Sequence, residues 1–271
     1  MLHAPLLAAA EHGLFERCTV DVHTYEGSGR AIAALRSGEV DVAVSGAAVT
    51  VSARTAGAPL VPLAPFFQRA MTVLYTTEDV FGEPLESVQQ VRGRQVGLPK
   101  GSEMGILGRL LLSQSGLLDD VELVDVAGEE REALRSGRAD VVTGAFNDPK
   151  EIDDANVHVL SLADHFPLYG PTFVTTERVI RERTPVLTSL LAGVLHGQER
   201  TITDPESAVG AVRTATDASE DTATVADLTA AIDRFGGSTA VRDHGWGWHR
   251  ADDWRRLTTA LRQAELVGAR A

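Results

Sequence analysis

The chain offers little to nucleophilic or metal chemistry. Cys18 is its single cysteine, which excludes an internal disulfide and any cysteine-based metal cluster. No Gly-x-Ser-x-Gly elbow, His-Glu-x-x-His zinc motif or paired-cysteine motif occurs. His244-Gly-Trp-Gly-Trp-His249 is the one stretch that looks metal-like. Its two histidines sit at a poor spacing in a glycine-rich loop, so Trp246 and Trp248 are read as packing anchors. Glu26-Gly-Ser-Gly-Arg30 has neither of the glycine spacings that cradle a nucleotide phosphate. No catalytic residue, no metal and no cofactor is therefore expected, and the chain is not read as an enzyme.

Other residues suit the holding of a small molecule. Tyr25, Phe66, Phe67 and Phe146 offer rings for stacking in a chain with only 5% aromatic residues. Ser28, Ser45, Ser102 and Asn147 supply hydrogen bonds, and Glu26, Glu103 and Asp148 supply carboxylates. Lys100 is the only cation of the set. A site for sulfonate, nitrate or phosphate would call for arginine or several basic groups. This set better suits a flat, neutral or weakly basic organic molecule, stacked on rings and held by carboxylates. Each phenylalanine is also an ordinary core residue, and each acid also suits a solvated face. Gly101 and Ser102 precede a helix, whose N-terminus keeps a small anion as an alternative.

These residues fall together because of the elements that carry them. Cys18–Tyr25 alternates and reads as a strand; Arg30–Arg36 reads as a helix stopped by Gly38. Val40–Gly46 reads as a strand, Ala48–Ala56 as a helix, and Pro59–Phe67 as an edge strand because of its prolines. Met71–Thr77 follows as a strand. The pattern then restarts: helix Pro84–Gly93, strand and loop Arg94–Ser102, and a helix to about Ser115 capped by Ser102 and ended by Gly116. Strand Val121–Val126, helix Glu129–Ser136 and strand Ala139–Phe146 complete the second unit. The phrase Ala-Leu-Arg-Ser-Gly appears in both units, at Ala34–Gly38 and Ala133–Gly137. Two units are too few for a solenoid, so they read as two similar α/β lobes with mostly parallel sheets. In open α/β sheets ligands bind beyond the carboxyl ends of the strands. Those ends are Tyr25–Gly29, Ser45–Ala47, Phe66–Phe67, Pro99–Glu103 and Gly144–Asp148. After strand Thr172–Thr176 the chain reads as helical, with a polar loop at Thr214–Thr224. That tail must pack on something, most simply the first lobe.

Composition narrows the partners. The chain has 271 residues, 38 Asp and Glu against 25 Lys and Arg, and a formal net charge of −13. Nucleic acid and anionic membrane both need basic surface, so neither is expected as a partner. Only Lys100 and Lys150 are lysines, an acidic, lysine-poor usage that fits a high-salt cytoplasm or a GC-rich genome. No apolar run is long enough to span a bilayer, and Met1–Ala10 lacks the basic start of a signal peptide.

Four segments in order resemble a known family. They are His3–Glu16, Gly27–Gly46, Gly93–Ser102 and Val121–Pro149. The chain is similar to substrate-binding proteins of ABC importers in the NMT1/THI5-like group, which also includes nitrate, sulfonate and taurine binders. The resemblance implies a two-lobed type II periplasmic-binding-protein fold. Lobe one would comprise residues 1–76 and 166–271, and lobe two residues 77–165, with crossovers near Tyr75–Thr77 and His165–Thr172. It places His3, Ser45, Gly144, Phe146 and Asn147 in the cleft. With the strand-end residues, the expected ligand set is His3, Tyr25, Glu26, Ser28, Ser45, Gly46, Phe66, Lys100, Ser102, Gly144, Phe146, Asn147 and Tyr169. Gly144-Ala-Phe-Asn-Asp148 is closer to binders of thiamin pyrimidine precursors than to sulfonate binders. The implied partners are a small-molecule ligand and an ABC permease and ATPase, the protein itself being a monomer. A related pyrimidine synthase uses a cysteine-rich motif that one cysteine cannot supply, and a regulator's sensor lobe would follow a DNA-binding segment. The family's first strand, which precedes its His-x-Pro-Leu helix, is absent before Met1. A late gene start is the simpler expectation, a truncated paralogue the other. Placement outside the cytoplasm, periplasmic or membrane-associated, is expected with an upstream signal, and cytoplasmic placement if the chain is complete as written.

Overall fold

The computed structural model describes residues 3–152, 156–166, 168–216 and 224–268. Two sheets organise it. Strands β1 (Ala43–Ser45), β2 (Leu60–Pro65) and, late in the chain, β8 (Thr172–Thr176) form a three-stranded sheet in the order β1-β8-β2. Strands β3 (Thr72–Thr77), β4 (Gln95–Leu98), β5 (Glu122–Asp125), β6 (Val141–Ala145) and β7 (Val157–Ser161) form a second sheet, ordered β5-β4-β6-β3-β7. Parallel pairing holds β4 to β5 and β6. The other pairs are antiparallel, because β8 and β3 run against their neighbours. The parallel arrangement read from the strand–helix alternation is thus confined to β5-β4-β6. In the first sheet β8 returns and inserts between the two strands that the alternation made neighbours.

β2 lies at a sheet edge, as its prolines require. β3 belongs to the second sheet, where it pairs with both β6 and β7. The chain therefore leaves the first lobe before Thr72, and not at 76–77 as expected. The two crossover segments lie side by side. Phe66 N–H donates to Pro171 O at 2.7 Å, and Gly170 N–H donates to Phe67 O at 3.0 Å. Cys18–Tyr25 has strand alternation but joins no ladder among the described residues, and Val22 is exposed. An alternating segment becomes a strand only where a partner edge meets it.

Helices α1 (Ala4–Glu11), α2 (Gly27–Ser37) and α3 (Ala47–Thr55) precede β2. α4 (Glu78–Phe81), α5 (Glu103–Gln114) and α6 (Glu130–Arg135) belong to the second unit. Ser102 caps α5 as expected, accepting from Gly105 N–H at 3.0 Å. Pro84–Gly93, read as a helix, is reduced to a 3-10 turn at Val88–Val91 held by a Ser87/Gln90 capping box. The tail holds α7 (Glu177–Thr203), α8 (Pro205–Thr216), α9 (Val225–Ala231), α10 (Thr239–His244) and α11 (Ala251–Gln263). α7 breaks at Arg183, just before Pro185, whose missing N–H cannot continue the ladder. The loop read at Thr214–Thr224 lies mostly outside the described residues; Thr214–Thr216 end α8 and Thr224 caps α9.

The tail does not pack on the first lobe alone. Ala208, Val209 and Val212 of α8 and Leu228 of α9 cover α1. Leu257 and Leu261 of α11 instead enter the largest core cluster, with Ala48 and Val51 of α3 and Leu107, Leu110 and Leu111 of α5. The repeated Ala-Leu-Arg-Ser-Gly is scaffold in both copies. Gly38 and Gly137 follow the two helices in the left-handed conformation, at φ 82° and 69°. The aspartates beyond them are held differently: the Asp41 backbone carbonyl accepts from Thr175 Oγ1, and the Asp140 carboxylate accepts from Gln95 N–H.

Candidate functional site

Sheet register brings the expected strand ends together. Ser45 and Pro65 flank Thr172 in the first sheet, so Gly46 and Phe66 leave the same sheet end. In the second sheet β4 and β6 run parallel, so Pro99 and Gly144 leave one end, and Phe146 N–H donates to Met71 O at the adjoining crossover. The two sheet ends meet at Glu103. Its Oε1 accepts from Ala48 N–H at 3.0 Å, and its Oε2 accepts from Val49 N–H at 2.9 Å. These are orphan donors at the head of α3. Desolvation pushes the Glu103 carboxyl up to about 7, against the two donors, which favour the anion.

Rings from both lobes form the second feature of the boundary. Phe66 lies 4.2 Å from Phe173, centroid to centroid, and edge-on to Trp246 at 5.9 Å. Phe146 stands edge-on to Phe235 at 5.0 Å. The Arg234 guanidinium covers both of those rings and approaches Asp164. Asn147 Oδ1 is buried without a hydrogen-bond partner among the described residues. His3 stands 6.0 Å from Phe66. Desolvation by the protein atoms around its ring lowers its pKa.

The remaining expected residues are placed as follows. Ser28 Oγ accepts from Gly46 N–H at 3.0 Å, and Ser45 is buried beside Gly46. Phe66 is buried in the core, as an ordinary core phenylalanine would be. Tyr25 donates to Glu39 at 2.6 Å, and Glu26 pairs with Arg30 on the surface. Lys100 is exposed, and its N–H donates to Asp125. Gly144 is closely backed by Tyr75 and by Asp148, whose Oδ2 accepts from Ala145 N–H. Tyr169 packs with Trp254 and Asp253 of α11. Its hydroxyl donates to Asp253 at 2.7 Å and accepts from Arg250 N–H, and desolvation pushes its pKa up to about 12.

The His244–His249 loop packs as expected. His244 stacks on Trp248 at 4.2 Å, and Trp246 Nε1–H donates to Phe66 O. Trp254 Nε1–H donates to His249 Nδ1, which leaves His249 Nε2–H to donate to Leu63 O. Both ring nitrogens are used, and burial lowers the pKa. Among the described residues no group of three or more His, Cys, Asp and Glu could hold a metal. Among the described residues no helix is long and apolar enough to cross a membrane. Two cavities of about 550 and 330 Å³ lie elsewhere, one against α1 and Val20–His23, the other on α11. Sequence reasoning did not bring Arg234 and Phe235 to this boundary, because they come from the tail and no strand-end signal marks them.

Comparison with known proteins agrees with this architecture. A family model described as NMT1/THI5 like matches residues 1–208. The chain is 30% identical over 147 residues to a Haemophilus influenzae protein named for thiamine biosynthesis, covering 53% of this chain and 46% of the relative. It is 25% identical over 222 residues to the formylaminopyrimidine-binding protein of Halalkalibacterium halodurans, covering 79% and 66%. The chain thus spans less than two thirds of the length of these relatives. The periplasmic aliphatic sulphonate binding protein SsuA of Escherichia coli superposes with a TM-score of 0.78 at 17% identity, over 100% of this chain and 92% of the other. A Candida albicans protein, CA3427, with the generic periplasmic binding protein fold, superposes with a TM-score of 0.75 at 16% identity, over 100% and 89%. The two-lobed α/β architecture is that fold.

Proposed function

The chain belongs to the NMT1/THI5-like family, and from that premise we propose that it is a non-catalytic solute-binding protein of an ABC importer. Its ligand is a small planar organic molecule taken between the lobes, of the thiamin pyrimidine precursor class. The observation that carries this reading is the lobe boundary. Phe146, backed by the buried Phe235, offers ring surface, Glu103 a carboxylate and Asn147 an unpaired amide oxygen. An aminopyrimidine presents the matching chemistry, a flat face with N–H donors along its edge. The relative named for binding formylaminopyrimidine supports the same class. The paired crossovers at Phe66–Phe67 and Gly170–Pro171 would serve as the hinge on which the lobes close. A permease and ATPase are the partners of such a role, which places the protein outside the cytoplasm.

The SsuA likeness supports a second ligand class, a sulfonate. Calorimetry separates the two. Titration with an aminopyrimidine is expected to show micromolar or tighter binding with the ligand recovered unchanged. Heat from taurine, nitrate or an alkanesulfonate, with none from any pyrimidine, would overturn the ligand class. Chemical conversion of the bound pyrimidine would overturn the non-catalytic reading.

A further inference from the structure

The lobe boundary already contains a carboxyl group of the protein's own, anionic above about pH 7. Glu103 opens α5 in the second lobe, yet its carboxylate serves α3 of the first. The Ala48 and Val49 N–H groups it accepts from lie at the second and third positions of α3, where the helix dipole favours negative charge. Gly46, the N-cap of α3, has no side chain to serve them. Gly46 also makes the space: a Cβ there would lie 2.2 Å from Glu103 Cδ and 2.3 Å from Oε2. The Gly46 N–H is itself taken by Ser28 Oγ.

We propose that Glu103 is a specificity-determining residue, a tethered anion that fills the amide seat at the head of α3 and restricts the ligand to neutral or cationic chemistry. The proposal rests on the reading that ligand binds between the lobes. An incoming sulfonate or nitrate must displace a carboxylate held through both oxygens, or lie beside a like charge. A basic or amino-bearing heterocycle meets the opposite situation. Each carboxylate oxygen has a lone pair left after its backbone hydrogen bond.

The test is anion binding by the full chain and by Glu103→Ala and Glu103→Gln. Titration with methanesulfonate and with nitrate is run near pH 8.5, above the range in which a raised glutamate titrates. The wild-type chain is expected to take up neither anion. Glu103→Ala is expected to gain affinity by about tenfold or more, and Glu103→Gln to gain less, since its amide still occupies the seat. Circular dichroism establishes that each variant is folded; should Ala unfold the boundary, the isosteric Gln variant decides. Folded variants with no gain in anion affinity overturn the proposal. So does a wild-type chain that binds methanesulfonate as tightly as they do. Failure of the ligand-site reading shows separately, as absence of aminopyrimidine binding by the wild-type chain.

Discussion

Replacing Gly46 with alanine isolates the contact between the lobes. Gly46 sits at φ −61° and ψ 149°, a conformation that alanine adopts without strain. The cost is therefore steric. The new Cβ would lie 2.2 Å from Glu103 Cδ, 2.3 Å from Oε2 and 2.6 Å from Cγ, so the carboxylate must leave. Two hydrogen bonds go with it, of 3.0 and 2.9 Å, charge-assisted above about pH 7 where the carboxyl is ionised. Each would be worth roughly 1.5–3 kcal/mol if its partners stayed dry. Glu103 itself is partly exposed, so the released carboxylate regains water, and the loss is closer to that of a helix N-cap, about 1–2 kcal/mol. Alanine returns roughly 0.4–1 kcal/mol by restricting the unfolded chain. A net loss of about 1 kcal/mol follows, lowering Tm by roughly 2–4 °C for a chain of this size. Thermal melts of Gly46→Ala, Glu103→Ala and the double variant form a cycle. Both singles remove one interaction, so the double variant should be little worse than the worse single. A Gly46→Ala protein as stable as wild type, or losses that simply add, would refute the steric link between these residues.

Three further outcomes are expected. Burial raises the Glu103 carboxyl to about 7, so the folded chain keeps a proton that the unfolded chain releases near pH 4.3. The stability it contributes is whole below that lower value and is lost as pH rises through 7; wild-type Tm should fall across this window relative to Glu103→Gln, and parallel curves would contradict the raised pKa. Phe146→Ala removes the edge-on partner of Phe235 and one of two rings under Arg234, so aminopyrimidine affinity should drop about tenfold while stability falls by at least the roughly 0.5–1.5 kcal/mol of the ring pair, the lost burial adding to it; calorimetry with unchanged affinity would move the stacking surface elsewhere. Gly197→Ala would set a Cβ 2.1 Å from Pro5 O and 2.9 Å from Ala9 Cβ, forcing α1 off α7 at a cost of about 1–3 kcal/mol, read as a lower urea midpoint. A neutral result there would mean that α1 shifts freely.

Local chemistry was legible wherever a short segment decides its own conformation. Ser102 as the cap of α5, the glycines that end α2 and α6, and the prolines of edge strand β2 are such cases. Within each sheet, strands running the same way leave at one end, Gly46 with Phe66 and Pro99 with Gly144, whereas Tyr25–Gly29 follows no ladder strand. Segments whose state depends on a distant partner were not legible. Cys18–Tyr25 alternates like a strand but meets no ladder, and Pro84–Gly93 shortens to one turn. The helical periodicity of α11 marks its apolar face without naming the surface that face covers. Only the folded chain puts Leu257 and Leu261 against α3 and α5.

The candidate site divides along the same line. The sequence by itself determined an acidic, cysteine-poor α/β chain of two like units, with aromatic and carboxylate residues at its strand ends. Composition and spacing suffice for that, since periodicity and turn chemistry act over a few residues. Tertiary structure alone decided what those groups do. It turned Ser28 and Ser45 into supports for Gly46, drew Phe235 and Trp246 in from the tail, and moved Tyr169 to the α11 side. It also carried Glu103 across to α3. Hydrogen bonds between residues 55 positions apart depend on how two lobes close, and no local pattern encodes that distance.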